Sequence, residues 1–192
     1  MSLISYIGLD ISTSIIGISL LDNKGNLVDL QAINLKKIKS MFQKSAEYEK
    51  YLSLLKEKVS EDVKIFIEEP FQSFSKGMSS AKTIAQLNRF NGIVSYITYK
   101  VFNVEPEYIN VNTARKNLQI KIDKKLNINT KEQVFAWVQK EIDFNWPEKI
   151  LTRGPNKGLV KFDESCYDMS DAYVISKSGL FLENVRKSSE ET

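Results

Sequence analysis

The chain has 192 residues, of which 42 % are hydrophobic and 27 % charged, values typical of one globular domain. With one cysteine and no histidine, it excludes a disulfide framework, a multi-cysteine zinc site and hydrolysis by a serine–histidine triad. The formal net charge is +3, with basic residues concentrated in 113–131 and 149–161, which favours a polyanion partner but also fits a solvated lysine-rich face.

Neither a membrane segment nor a targeting segment is predicted. No apolar run reaches the roughly 18 residues of a membrane-spanning helix, and the N-terminal residues lack the pattern of a signal peptide. We therefore expect an intracellular, cytoplasmic protein with no membrane partner.

The first third of the chain predicts a meander and a helix. Apolar, β-branched runs predict strands at Tyr6–Leu9, Ile15–Leu21 and Leu27–Ile33, the last two joined by turn residues. Helical periodicity follows over Ser40–Val59. The three strands are short and consecutive, so we expect them to pair antiparallel.

The middle of the chain alternates strands and helices. Short strands are predicted at Val63–Ile67 and Tyr108–Val111, on either side of a helix over Ser79–Val101. Asn112 or Thr113 is expected to cap a helical turn after the second of these strands.

The last third predicts two more helices. Thr130 and Gln133 have the spacing of a capping box for a helix that ends near Ile142. Asp143–Phe162 contains two prolines and two glycines and is predicted to be a loop. A final helix over Ser165–Leu182 precedes a polar tail, residues 188–192, that we expect to be disordered.

This order predicts an α/β fold with a mixed five-stranded sheet, three antiparallel strands followed by two parallel ones, flanked by helices. Residues 1–187 are expected to form a single domain, because neither a linker nor an internal repeat divides them.

Four carboxylates stand at the ends of predicted elements. Asp10 and Glu68 each close a buried strand, while Asp168 and Asp171 lie three residues apart on one face of the last helix. Each could also be an ordinary turn, cap or helix-terminus residue. Adjacent strand residues point to opposite faces, so regular geometry allows only one of Glu68 and Glu69 into a shared site.

Clustered acids at buried strand ends raise one another's pKa unless a cation compensates them. Oxygen ligands without histidine or thiolate select Mg²⁺ or Mn²⁺ over zinc. Two such ions can activate water and stabilise the leaving oxygen in phosphodiester hydrolysis. The acids therefore predict a metal-dependent nuclease, with no small-molecule cofactor.

The motifs, in their order and spacing, resemble the RuvC family of Holliday junction resolvases in the ribonuclease H-like superfamily. Residues 6–17 (YIGLDISTSIIG) resemble its first motif and residues 66–71 (FIEEPF) its second. Residues 86–92 (QLNRFNG) resemble its following helix, and 168–172 (DMSDA) its final acidic pair. The resemblance runs from about Tyr6 to Ser176 and implies a ribonuclease H-like fold.

The resemblance also implies roles for individual residues. Asp10, Glu68, Asp168 and Asp171 would be the metal ligands, the first Glu being chosen by the family pattern, and Lys131 would support catalysis. The residues implied to contact DNA are Phe71, Lys76, Lys82, Arg89, Arg115, Lys116 and Lys121. Phe71 is alternatively a core or loop residue, and Lys131 alternatively a plain first-turn lysine.

Two features depart from the family pattern. Ile11 and Ser12 stand where the family often has Pro-Gly, and the basic segment Asp143–Phe162 is longer than the family connection. That segment either contacts DNA or is a solvent loop. These differences suggest a divergent member, of the kind that a phage or virus encodes.

The resemblance implies a homodimeric, Mg²⁺-dependent endonuclease that cuts opposing strands of a four-way DNA junction with two metal ions per site. Alternatives are a related nuclease acting on RNA/DNA hybrids or other branched DNA, and a DNA-binding protein without catalysis. The first motif also resembles the phosphate hairpin of actin-like ATPases, but 192 residues leave no room for the second domain that those proteins need.

Overall fold

The computed structural model describes residues 4–70 and 81–190. The chain opens with β1 (Ile4–Ile11), β2 (Ile15–Leu21) and β3 (Leu27–Asn34), which pair antiparallel as predicted. The turn between β2 and β3 is fixed by Asp22, whose carboxylate accepts hydrogen bonds from the backbone amides of Lys24 and Asn26. Gly25 supplies the positive φ of +80° that this turn requires.

Helices and strands then alternate along the rest of the chain. In order, they are α1 (Met41–Leu55), β4 (Val59–Glu68), α2 (Ala81–Phe102), β5 (Glu107–Ile109), α3 (Val111–Asn117), α4 (Thr130–Glu141), β6 (Glu148–Ile150), β7 (Val160–Phe162) and α5 (Ser165–Glu190). Among the described residues, no helix is both long and apolar enough to cross a bilayer.

The main sheet has the strand order β3-β2-β1-β4-β5, with β4 parallel to both β1 and β5. The predicted mixed five-stranded sheet, three strands antiparallel and two parallel, is therefore confirmed. Parallel neighbours end at the same edge, so the carboxyl ends of β1 and β4 lie side by side.

The alternation of side chains along the strands builds a hydrophobic core on each face of the sheet. Ile7 and Leu9 point to the face covered by α1 and α2, where Tyr48 and Phe90 are fully buried. The opposite face, which includes Phe66, is covered by α3, α4 and α5. This second face carries the predicted metal ligands.

Both predicted helix caps are wrong, the first by two or three residues and the second by one. The α3 cap is Asn110, which accepts a hydrogen bond from the amide of Asn112, because β5 ends earlier than predicted. The α4 capping box is formed by Asn129 and Glu132. Gln133 instead bonds the backbone of Asp123 and fixes the preceding loop.

The segment Asp143–Phe162, predicted to be a loop, contains the antiparallel hairpin β6–β7. The last helix also extends past its predicted end at Leu182 and includes residues 188–190 of the expected tail. Arg186 supplies a reason, because it forms ion pairs of 2.7 Å with Glu107 and 2.6 Å with the buried Glu183, and so ties this turn to β5.

Candidate metal centre

Asp10 and Glu68 occupy adjacent positions at the carboxyl edge of the sheet. Leu9 of β1 pairs with Ile67 of the parallel strand β4, and Asp10 and Glu68 are the next residues of their strands. Strand alternation puts Asp10 on the same face as Gly8, which contacts α5. The two carboxylates therefore face the helix that covers this side of the sheet.

Two glycines allow α5 to lie directly on the strands. A Cβ on Gly17 would lie 2.0 Å from the carbonyl oxygen of Asp168, and one on Gly8 would lie 2.3 Å from that of Ala172. Gly17 is also the cross-strand partner of Asp10. The helix backbone thus passes over the strands beside Asp10, which brings Asp168 and Asp171 to the site.

Three of the four predicted acids converge. One carboxylate oxygen from each of Asp10, Glu68 and Asp171 lies within 4.8 Å of the other two. Asp168 lies one turn earlier on α5 and joins the group through a shared cation, Lys131. Asp171 is 6 % exposed, so its carboxylate has exchanged water for protein surroundings.

Burial raises the pKa of all four acids, and repulsion between carboxylates adds to the shift of three of them. Burial, and then the charges of Glu68, Asp171 and Asp168, raises the pKa of Asp10 well above its usual range. Burial raises the pKa of Glu68 to about 7 and that of Asp168 to about 6, with the charge of Asp171 adding to both shifts. Burial also raises the pKa of Asp171. This buried, oxygen-only group keeps raised pKa values despite the nearby charge of Lys131, and so fits a divalent cation of the Mg²⁺ type.

Lys131 is placed at the site by the first turn of α4. Its Nζ lies 3.8 Å from Oδ2 of Asp171 and 4.0 Å from Oδ1 of Asp168, while its side chain stays 58 % exposed. Burial lowers the pKa of Lys131, but the surrounding carboxylates outweigh this and the net shift is upward. A lysine opposes the dipole of a helix start, and these acids offset that cost.

Arg115 approaches the site from α3. Its positive charge lowers the pKa of both Glu68 and Asp171, against the effect of burial. Its Nε is buried and has no hydrogen-bond partner within the described part of the chain. The family resemblance predicts that Arg115 contacts DNA. In the structure its charge also acts on the carboxylates of Glu68 and Asp171.

The other predicted DNA-contacting residues lie outside this cluster. Lys82 and Arg89 are exposed on α2, and Lys116 and Lys121 are exposed on and after α3. Phe71 and Lys76 lie outside the described residues.

Glu69 is separated from the acidic group that contains Glu68. Its Oε2 accepts a hydrogen bond of 3.2 Å from Nδ2 of Asn110. Within the described residues it does not belong to the converging carboxylates. This separation follows from strand alternation, which the sequence already suggested.

The sequence reasoning missed Gly8. It stands two residues before Asp10, so a period of two could have identified it as the glycine beneath α5. It also missed two ion pairs that Glu164 forms, one with Lys36 and one with Lys149. These two lysines lower the pKa of Glu164 to about 2. No local signal indicates the pair with Lys36, since Lys36 and Glu164 are far apart in the chain.

Comparison with known proteins gives matches at the level of structure. No protein-family model matches the sequence, and no curated protein matches it either. RuvC of T. thermophilus in complex with a Holliday junction substrate has a TM-score of 0.62 and 12 % identity, covering 94 % of this chain and 95 % of that one. A second Thermus thermophilus RuvC structure has a TM-score of 0.58, 14 % identity and the same coverage.

The yeast mitochondrial Holliday junction resolvase Ydc2 is more distant, with a TM-score of 0.51, 13 % identity and coverage of 100 % of this chain and 85 % of that one. Together these similarities establish a RuvC-like fold of the ribonuclease H-like class. The fold expected from the sequence motifs is therefore confirmed.

Proposed function

We propose that the protein is a structure-selective DNA endonuclease that resolves four-way junctions as a homodimer. The observation that carries the proposal is the convergence of Asp10, Glu68 and Asp171, with Asp168 and Lys131 beside them, at the carboxyl edge of a RuvC-like sheet. A solved structure with this fold is a complex with a Holliday junction substrate, which supports the choice of branched DNA.

The four carboxylates are the proposed ligands of two Mg²⁺ ions, for which Mn²⁺ can substitute. Ions of this kind supply Lewis-acid activation of an attacking water and of the leaving oxygen in phosphodiester hydrolysis. The rigid attachment of the ligands to β1, β4 and α5 would fix their spacing before DNA binds.

Lys131 and Arg115 supply positive charge from the protein to the proposed metal site. Lys131 extends a largely exposed ammonium group next to Asp168 and Asp171, where it can stabilise negative charge that develops on a phosphate. The Nε of Arg115 is buried with no hydrogen-bond partner among the described residues, and the charge of Arg115 acts on Glu68 and Asp171, so its guanidinium group is suited to orient a phosphate oxygen. DNA affinity should depend steeply on salt, because phosphate contacts dominate it.

The test is cleavage of a fixed four-way junction with Mg²⁺, with the cuts mapped on all four strands. Symmetric nicks in two opposing strands are expected. Asp171→Asn keeps the size of this buried side chain and removes its charge, so it should abolish cleavage and leave junction binding intact. Wild-type cleavage by that variant would contradict the site assignment.

An RNA/DNA hybrid and a linear duplex serve as comparison substrates in the same assay. Preference for the hybrid would overturn the junction proposal and favour another ribonuclease H-like activity. Binding without any cleavage would favour a DNA-binding protein.

A further inference from the structure

The hairpin β6–β7 projects from the face that carries the acidic site. Its base is fixed by aromatic contacts: Phe135 packs edge-on against Phe162 at 5.1 Å and against Trp146 at 4.8 Å between ring centroids. Phe135 lies four residues after Lys131 on α4, which places both on one side of that helix. The hairpin is therefore anchored one helical turn from the candidate catalytic lysine.

The outer part of the hairpin is exposed and has an apolar side. Every residue from 152 to 162 is exposed, and the cross-strand pair Ile150 and Val160 is 65 % and 56 % exposed. The side chains of Ile150 and Val160 lie on the same face of the hairpin as Phe162. They are closer to the tip than Phe162 and lie outside its aromatic contacts. Large exposed apolar side chains grouped in this way indicate an interaction surface.

Beyond Glu148 at its first position, the hairpin carries positive charge only. No acid occurs from residue 149 to 162, and Lys149 lies directly opposite Lys161 across the strands, an arrangement that is unfavourable for like charges. Lys149 is paired with Glu164 at 3.0 Å. Lys161, Arg153 and Lys157 have no ion-pair partner in the described part of the chain.

The tip has a defined conformation. Gly154 and Gly158 adopt positive φ values of +78° and +91°, which favour glycine at both positions. The amide of Gly158 donates a 2.8 Å hydrogen bond to the carbonyl of Leu151, and the amide of Lys157 donates to that of Gly154 at 3.1 Å. Arg153 and Lys157 are thus presented by an ordered loop, which lowers the entropic cost of binding.

We infer that this hairpin binds the phosphate backbone of a DNA arm next to the scissile phosphate. A polyanion would neutralise Arg153, Lys157 and Lys161, which have no ion-pair partner among the described residues, and the exposed apolar side suits contact with sugars and base edges. A surface that is basic from residue 149 to 162 favours DNA over a protein partner, whose interface would need acids to match it. The inference rests on the proposed function, whose site lies at the base of the hairpin.

The first test measures the salt dependence of DNA binding in EDTA, so that cleavage plays no part. Affinity for a four-way junction is measured by fluorescence anisotropy from about 50 to about 200 mM salt. Arg153→Gln with Lys157→Gln should reduce the steepness of the log–log salt plot by about 1.8, since each lost phosphate contact accounts for about 0.9. Affinity should fall by about tenfold or more near physiological salt.

The matched control is Lys56→Gln with Lys58→Gln, which removes the same charge before the start of β4, at the opposite end of the strand from Glu68. This control should leave the slope within error of wild type. Equal slopes for both double variants would overturn the inference. A change in sedimentation of the hairpin variant, with an unaltered slope, would also overturn it and identify a protein interface.

These outcomes are separate from those of the cleavage test. A protein that cleaves junctions with an unaltered slope in the hairpin variant retains the proposed function and loses the inference. A protein that binds DNA through the hairpin but cuts no junction retains the inference and loses the proposed function.

The second test locates the DNA directly. Asn156→Cys at the exposed tip can carry an iron–EDTA cleavage reagent, because the single natural cysteine, Cys166, is buried and burial raises the pKa of its thiol to about 11. Strand scission confined to one region of a junction arm is expected. Scission that is absent or spread uniformly over the DNA would overturn the placement.

Discussion

Glu68 titrates near neutrality because its carboxyl group is largely buried beside a second acid. Burial, followed by the charge of Asp171, raises the pKa of Glu68 to about 7, and burial raises that of Asp168 to about 6. In the unfolded chain the pKa of each of these two carboxyl groups is about 4. Between these values the folded protein binds more protons than the unfolded chain, so its stability falls as pH rises.

We therefore expect the metal-free protein to lose stability between about pH 5.5 and about pH 7. Glu164, with a pKa of about 2 beside Lys36 and Lys149, is ionised in both states over this range and adds no slope. Thermal melts in EDTA should show a midpoint that falls by several degrees, since about 1 kcal/mol corresponds to about 2–4 °C at this size. A midpoint that rises over the same range would contradict the assignment of these pKa values.

Adding Mg²⁺ or Mn²⁺ near neutral pH should restore the lost stability, because the ion binds the folded state. The shift should be absent in Glu68→Gln, which also removes a buried repulsive charge and should melt higher than wild type in EDTA. An equal metal-induced shift in both proteins would place the ion elsewhere.

Glu68 and Glu69 offer a matched pair for the catalytic site. Glu68→Gln should reduce junction cleavage by more than about 100-fold, since it removes a proposed metal ligand. Glu69→Gln changes the next residue, which contacts Asn110 and lies outside the converging acids, and should stay within a few-fold of wild type. Rates under single-turnover conditions give the comparison, and a reversed order would exchange the two assignments.

At the residue scale the sequence predicted which acids come together. Strand ends and the three-residue helical spacing predicted Asp10, Asp171 and one of the two acids Glu68 and Glu69, because those signals are local, and the family resemblance chose Glu68. The carboxylates of Asp10, Glu68 and Asp171 lie together in the structure. The approach of Arg115 to the carboxylates was not predicted, because it depends on how α3 packs against the sheet. The catalytic roles of Asp10, Glu68 and Asp171 stay predictions until cleavage is measured.

At the scale of elements, the site depends on the close packing of α5 on β1 and β2. Gly17→Ala places a methyl group 2.0 Å from the carbonyl oxygen of Asp168, which is helix backbone and cannot move alone. The helix must lift, and the cost should be about 1–3 kcal/mol or more, as for other overpacked cores. Metal binding and cleavage should weaken together with stability.

The control for this change is Gly92→Ala in α2. A Cβ there has no neighbour within 4 Å, so the change should stabilise the protein by about 0.5–1 kcal/mol through helix propensity. Chemical denaturation of both variants tests the contrast. Similar effects of the two substitutions would show that glycine content, rather than the approach of α5, sets stability.

The elements themselves were predicted where their signals are local, and missed where they are not. Periodicity and turn residues identified the five sheet strands and their helices, with bounds shifted by a few residues. The hairpin β6–β7 was predicted to be a loop, because its glycines and prolines dominate the local pattern. Its base is held by the contact of Phe162 with Phe135, which joins residues far apart in the chain.

At the scale of the whole molecule, a net charge of +3 averages two opposed regions. An acidic, buried centre lies at the sheet edge, and basic side chains are exposed on α2, α3, α4 and the hairpin. In the proposed function the acids would bind the metal and the bases would carry the DNA affinity. The overall charge therefore says little about either property.

The proposed dimer makes a prediction that a monomeric nuclease does not. A two-fold dimer presents two equivalent sites to two opposing strands of a junction, so one binding event should produce both nicks. Wild type should convert a supercoiled plasmid with an extruded cruciform directly to linear DNA. Dimers of wild type with Asp171→Asn, obtained by co-expression, should stop at the nicked circle because one of their two sites is inactive. If co-expressed Asp171→Asn only slows the appearance of linear DNA, without raising the share of nicked circle, the two subunits do not act within one complex.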